Sequence, residues 1–114
     1  MNYPDRDTQL LDHILQYCRD IEKTVERFGK DFETFKKDKD YINSVSMSLM
    51  QIGELAGRFS DEYVQETKTI MDWRAIKNMR NMFAHNYGSM DIERIWETAI
   101  DDIPILKEYC SAHL

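Results

Sequence analysis

Arg80, His85 and Tyr87 stand close together in the stretch MRNMFAHNYG, Met79–Gly88. A guanidinium keeps its positive charge at every physiological pH and offers a planar fork of donors that fits a phosphate. An imidazole exchanges a proton near neutrality, and one in the last turn of a helix feels the negative dipole end, which favours its cationic form. A fixed cation beside a titratable base suits charge stabilisation on a phosphate coupled to general acid–base transfer. Neither residue needs a metal for these roles. The flanks add to the pattern. No acidic residue occurs from Trp73 to Met90, whereas Arg74, Lys77 and Arg80 all lie there. This local basic stretch is compatible with an anionic target bound through Arg74 and Lys77.

A helix must position these groups. With about 100° per residue, Trp73, Ile76, Arg80, Phe83 and Tyr87 share one stripe of a helix running from Asp72 to Tyr87, with Gly88 as its terminator. Arg80 then sits where the pattern calls for an apolar side chain. It must find a carboxylate, several carbonyls, a cleft or an anionic ligand, because an unpaired buried charge costs several kcal/mol. Arg74, Asn78, Asn81 and His85 form a second, polar stripe, in which Asn81 and His85 can touch. Arg80 and His85 are about 140° apart on a straight helix. A bent arginine stem, unwinding near Gly88 or a second chain would bring them together.

The remaining segments read as three further helices. Leu11, Ile14, Cys18, Ile21, Val25 and Phe28 form an apolar stripe, with Asp5 or Asp7 as N-cap and Gly29 as stop. A connection holding about one helical turn comes next. Ile42, Val45, Leu49, Ile52, Ala56 and Phe59 repeat the rhythm, and within them GELAG, Gly53–Gly57, brings two glycines into a helix. Glycine there costs about 1 kcal/mol relative to alanine, so close approach of another backbone is expected. SDEYVQETKTI reads as a loop or short turn. The last helix starts at Asp91 with the stripe Ile92, Ile95, Trp96, Ala99, Ile103, Leu106 and Cys110, and Pro104 should kink or split it. No segment alternates with period two over strand length. The expected fold is an all-α antiparallel bundle of four main helices, in one domain over 1–114.

Composition excludes several classes. The chain of 114 residues has a net charge of −6, which argues against non-specific nucleic-acid binding by its whole surface. It has no apolar run long enough for a membrane span and no signal-peptide pattern, which reads as cytoplasmic. Cys18 and Cys110 are far apart in sequence and fall in apolar rows, as small buried hydrophobes do. His13, His85 and His113 are scattered without HExxH spacing, so neither a metal centre nor another cofactor is expected. Trp73 and Trp96 read as core, the glycines of GELAG as packing, and Asp101 and Asp102 as a solvated face.

RNMFAHNY fits the pattern R-x-x-x-x-H-x-Y, with Arg80, His85 and Tyr87 in the named places. Together with QIGELAGRF upstream, DWRAIKNMRN leading in, and a final helix carrying a tryptophan and a proline, it resembles the HepT-like proteins of the HEPN superfamily across nearly the whole chain. The resemblance implies a metal-independent endoribonuclease, the toxin half of a type VII-like toxin–antitoxin pair. It implies a homodimer whose two motifs line one cleft, with RNA as substrate. It assigns His85 to proton transfer, Arg80 to the phosphate, and Asn81 to orienting the histidine or the substrate. It also implies a separate nucleotidyltransferase antitoxin of the MntA type that attaches AMP to Tyr87. A core aromatic with its hydroxyl at the rim is the competing reading of Tyr87. A non-catalytic helical adaptor that binds such a nucleotidyltransferase is the competing reading of the whole chain.

Overall fold

In the computed structural model, residues 5–84 and 91–114 are described. They are helical, with no strand among the described residues. His85, Tyr87 and Gly88 lie outside the described residues, and so does the C-terminal end expected for the third helix.

Helix α1, Arg6–Phe28, is the longest element. Asp5 caps it by accepting from the Thr8 N–H at 2.7 Å. Gly29 ends it at φ 111°, a value that favours glycine, and its N–H returns to the Val25 carbonyl. The other N-cap candidate, Asp7, does different work. Its carboxylate accepts from the Ser60 N–H at 2.8 Å and from the Ser60 hydroxyl at 2.7 Å. Asp7 thereby ties the start of α1 to the start of a short helix much later in the chain. The expected stripe is buried through Leu11, Ile14, Cys18 and Ile21, while Val25 and Phe28 are partly buried against the same core.

The connection after α1 contains helix α2, Phe32–Lys37, capped by Asp31. It inserts Phe35 fully into the core. Helix α3, Lys39–Ala56, starts at Asp38, whose carboxylate takes both the Asp40 and the Tyr41 N–H. Tyr41 is wholly buried, and its hydroxyl is satisfied by donating to the Gly29 carbonyl at 2.9 Å. The ring stacks on Phe28 and meets Phe35 and Trp96 edge-on. Burial raises the Tyr41 hydroxyl pKa to about 12, so it stays neutral.

SDEYVQETKTI is not the loop that its sparse apolar pattern suggests. Helix α4, Asp61–Thr67, occupies it, capped by Ser60. Long-range contacts hold this short helix. The Tyr63 and Tyr109 hydroxyls are 2.7 Å apart, and the Trp73 indole N–H donates to the Thr67 hydroxyl at 2.9 Å.

The third main segment begins where expected, with Asp72 capping helix α5, Trp73–Lys77. It is not one regular helix. A 3-10 turn, Asn78–Arg80, separates α5 from helix α6, Asn81–Ala84. The final segment is also interrupted. Asp91 caps helix α7, Ile92–Glu97, and a π turn over Thr98–Asp102 leads into helix α8, Ile103–Ala112, with Pro104 in its first turn. The helical backbone runs on through this turn, where the Ile103 N–H donates to the Thr98 carbonyl five residues back, so the wider π pitch directly precedes the proline, which has no N–H to donate.

Helix α3 is the scaffold. It packs on α1 along one side and on α5 and the 3-10 turn along another, while α8 closes over α1. Cys18 on α1 and Cys110 on α8 are both fully buried and free. Burial pushes each thiol up to about 12, and the neighbouring Cys110 adds to the effect at Cys18, so neither can serve as a nucleophile. Among the described residues no helix is long and apolar enough to cross a membrane.

Candidate active site

The 3-10 turn alters where the side chains of the third segment point. A 3-10 helix advances about 20° more per residue than an α-helix, so three residues rotate the rest of the segment by about 60°. The expected single stripe is therefore displaced. Trp73, Met79 and Phe83 are buried, whereas Ile76 and Arg80 are only partly covered. Arg80 lies at the edge of the packed face and not within it. The apolar wheel position does not translate into burial: 42% of the Arg80 side chain is exposed.

The glycines of GELAG account for its position. A Cβ placed on Gly53 would come within 3.0 Å of the Arg80 backbone nitrogen and 3.3 Å of both the Arg80 Cβ and the Lys77 carbonyl oxygen. One placed on Gly57 would meet the Lys77 side-chain carbons at 3.4 Å. Lys77 thus lies against Gly57 and Arg80 against Gly53, so the two segments run in opposite directions at backbone contact. Only glycine permits such an approach at position 53.

The arginine finds its partner on the same helix. Arg80 Nη1 donates to Glu54 Oε1 at 3.2 Å, and the Glu54 side chain is itself 47% exposed. Of the four options open to Arg80 from sequence, the carboxylate is the one adopted, but the acid is at the surface. The pair is a single contact in a solvated setting, where ion pairs contribute about 0–1 kcal/mol. A phosphate offering two oxygens to the guanidinium would be the stronger partner.

Around Arg80, the side chains of Arg74, Lys77, Asn78 and Asn81 are exposed, which agrees with a polar face on this segment. Among the described residues neither Arg74 nor Lys77 has an acidic partner within ion-pair distance. Four of the sequence-derived site residues, Arg74, Lys77, Arg80 and Asn81, lie on one short segment, 73–84, that carries three cations and no acid of its own. The other two, His85 and Tyr87, lie outside the described residues. Trp73 is buried, with no face free for stacking on a base. Sequence reasoning missed Glu54. Its place directly beside Gly53, the residue that marks the close approach, was the available signal.

A groove on another side of this segment is chemically different. It measures about 420 Å³ and lies between the 71–82 and 94–106 segments, floored by Ile76, Met79, Met82, Ile103 and Leu106. None of Arg74, Lys77, Arg80 or Asn81 lines it. Its floor suits apolar contact and not a phosphate. Among the described residues no group of three His, Cys, Asp or Glu side chains is placed to hold a metal ion.

Comparison with known proteins agrees with this picture. The family described as Ribonuclease HepT-like matches residues 14–113. An RNase-named protein of Caldanaerobacter subterraneus is 34% identical over 98 residues, covering 86% of this chain and 85% of that protein. A probable ribonuclease HepT of Thermococcus cleftensis is 31% identical, covering 80% of this chain and 86% of its own length. An RNase-named protein of Methanocaldococcus jannaschii is 28% identical over 104 residues, with 89% and 82% covered. No solved structure matches. Matched over nearly its whole length, and carrying a half-exposed arginine flanked by exposed cations, the chain belongs to the HepT-like ribonuclease family.

Proposed function

We propose that this ribonuclease cuts RNA internally without a metal, and that it acts as the toxin of a type VII-like toxin–antitoxin pair. One observation carries the proposal furthest. Arg80 is held at the surface by one exposed acid through one of its donors, and among the described residues Arg74 and Lys77 beside it have no acidic partner, so a phosphate can bind the remaining donors. Family membership supplies the substrate class.

In this reading the RNA 2′-hydroxyl attacks the adjacent phosphorus. The 2′-oxygen–phosphorus bond forms, the bond from phosphorus to the 5′-oxygen breaks, and the products are a 2′,3′-cyclic phosphate and a 5′-hydroxyl. His85 takes the 2′-hydroxyl proton or delivers one to the leaving 5′-oxygen. Arg80 holds the phosphate and stabilises the charge that grows on its oxygens. Asn81 orients the base or the substrate. Arg74 and Lys77 hold the strand on either side through its phosphates. Two protomers share the cleft, which supplies His85 and Arg80 from paired motifs. A separate nucleotidyltransferase of the MntA type neutralises the enzyme by placing AMP on Tyr87, adding bulk and negative charge where the RNA backbone must lie.

The test is RNA cleavage by the purified chain beside His85→Ala, with circular dichroism to confirm that the variant folds. Wild type cuts and arrests growth on expression, and His85→Ala does neither. If wild type and His85→Ala are equally inert, the adaptor reading replaces this one.

A further inference from the structure

We propose that Glu54 is a positioning residue for Arg80, holding one corner of its guanidinium so that the other donors face the substrate phosphate. The inference rests on the reading of Arg80 as the phosphate-binding group.

Three observations carry it. First, the contact is a single one. Glu54 Oε1 accepts from Nη1 of Arg80 at 3.2 Å, and no other hydrogen bond involves the Arg80 guanidinium among the described residues. An arginine has five N–H donors in a rigid fork, so the Nε and Nη2 donors stay available for a phosphate.

Second, the pair does little for the fold. Both side chains are about half exposed, and such pairs contribute little to stability. Holding the fold together therefore does not explain why an acid lies against this cation.

Third, the same turn of α3 fixes Arg80 at both ends. Gly53 lets the Arg80 backbone lie against the helix, and its sequence neighbour Glu54 takes the tip. A long side chain held at its root and biased at its tip samples fewer rotamers before substrate arrives. Less order then has to be created in the transition state. The carboxylate carries a penalty as well, because its negative charge repels an incoming phosphate. Its effect on binding is thus opposite to its effect on turnover.

The experiment is steady-state cleavage of a short single-stranded RNA by wild type, Glu54→Ala, Glu54→Gln and Arg80→Ala, each checked by urea unfolding. Glu54→Ala is expected to lower kcat about fivefold with KM unchanged or reduced. Glu54→Gln keeps an acceptor oxygen, so it restores kcat to within about twofold of wild type while binding RNA more tightly through the loss of a repelling charge. If Glu54→Ala turns over like wild type while Arg80→Ala is inactive, this inference fails and the reading of Arg80 stands. The inference also fails if Glu54→Gln does not restore the kcat lost in Glu54→Ala. If Arg80→Ala cleaves normally, or if wild type does not cleave, both fall together.

Discussion

Arg80→Ala is expected to lower kcat/KM for RNA cleavage by about 1,000-fold while leaving the protein folded. Removing a donor that stabilises transition-state charge costs about 100- to 1,000-fold in characterised enzymes, and a guanidinium contributes a full charge besides. Stability moves far less. The ion pair lost with Arg80 joins two side chains that are about half exposed, so unfolding should change by under about 1 kcal/mol. Arg80→Lys is expected to recover little of the lost activity. An ammonium keeps the charge but cannot hold Glu54 and a phosphate on one planar fork. Cleavage rates set against urea midpoints check both halves. A stability loss equal to the activity loss would make Arg80 a structural residue.

Gly53→Val is the second change with a large effect, acting through packing. Any side chain there starts with its Cβ 3.0 Å from the Arg80 backbone nitrogen and 3.3 Å from the Lys77 carbonyl. Both neighbours are backbone and cannot swing aside, so the two segments must separate. Overpacking of this kind costs about 1–3 kcal/mol, and valine's extra methyls place it at the upper end. Helix propensity returns under about 1 kcal/mol of that. A net loss of about 2 kcal/mol is expected in urea unfolding, with cleavage falling further than the folded fraction because Arg80 is displaced from Glu54. Gly57→Ala is the matched control. Its Cβ would meet flexible carbons of Lys77 at 3.4 Å and the Glu54 carbonyl oxygen at 3.5 Å, an ordinary contact distance, and Gly57 has a right-handed φ of −75° that alanine adopts freely. It should be neutral or slightly stabilising. Equal destabilisation by both changes would mean that position 53 is not the close approach described.

The long helices were legible because their signals are local and repeated. The stripe of α1 and the rhythm of Val45, Leu49 and Ile52 on α3 run over enough turns for periodicity to stand out. The aspartate caps at Asp5, Asp72 and Asp91 were readable for the same reason, since a cap depends on neighbours three residues away. Helix α4 was not legible. Its seven residues are too few for a stripe, and what holds it comes from Asp7, Trp73 and Tyr109. The 3-10 turn at 78–80 was missed because wheel arithmetic assumes one pitch throughout, and that assumption put Arg80 in line with the apolar stripe and not at its edge. The glycines of GELAG gave notice of a close approach, and it is found there, against Lys77 and Arg80. The acid that meets Arg80 does so across 26 residues, and only its place beside Gly53 hinted at the contact. The motif residues Arg80 and Asn81 were named from residue types and resemblance; in the structure Asn81 is exposed and Arg80 half exposed beside Glu54.

The chemistry of the cut ends tests the central claim most directly. Total RNA is incubated with the purified protein in excess chelator, and the termini of the fragments are mapped. A cationic side chain and an imidazole acting on one phosphodiester, with the neighbouring 2′-hydroxyl as nucleophile, predict undiminished cleavage that leaves 2′,3′-cyclic phosphates and 5′-hydroxyls. Fragments ending in 3′-hydroxyls and 5′-phosphates, or cleavage that stops when the chelator is added, would contradict the account.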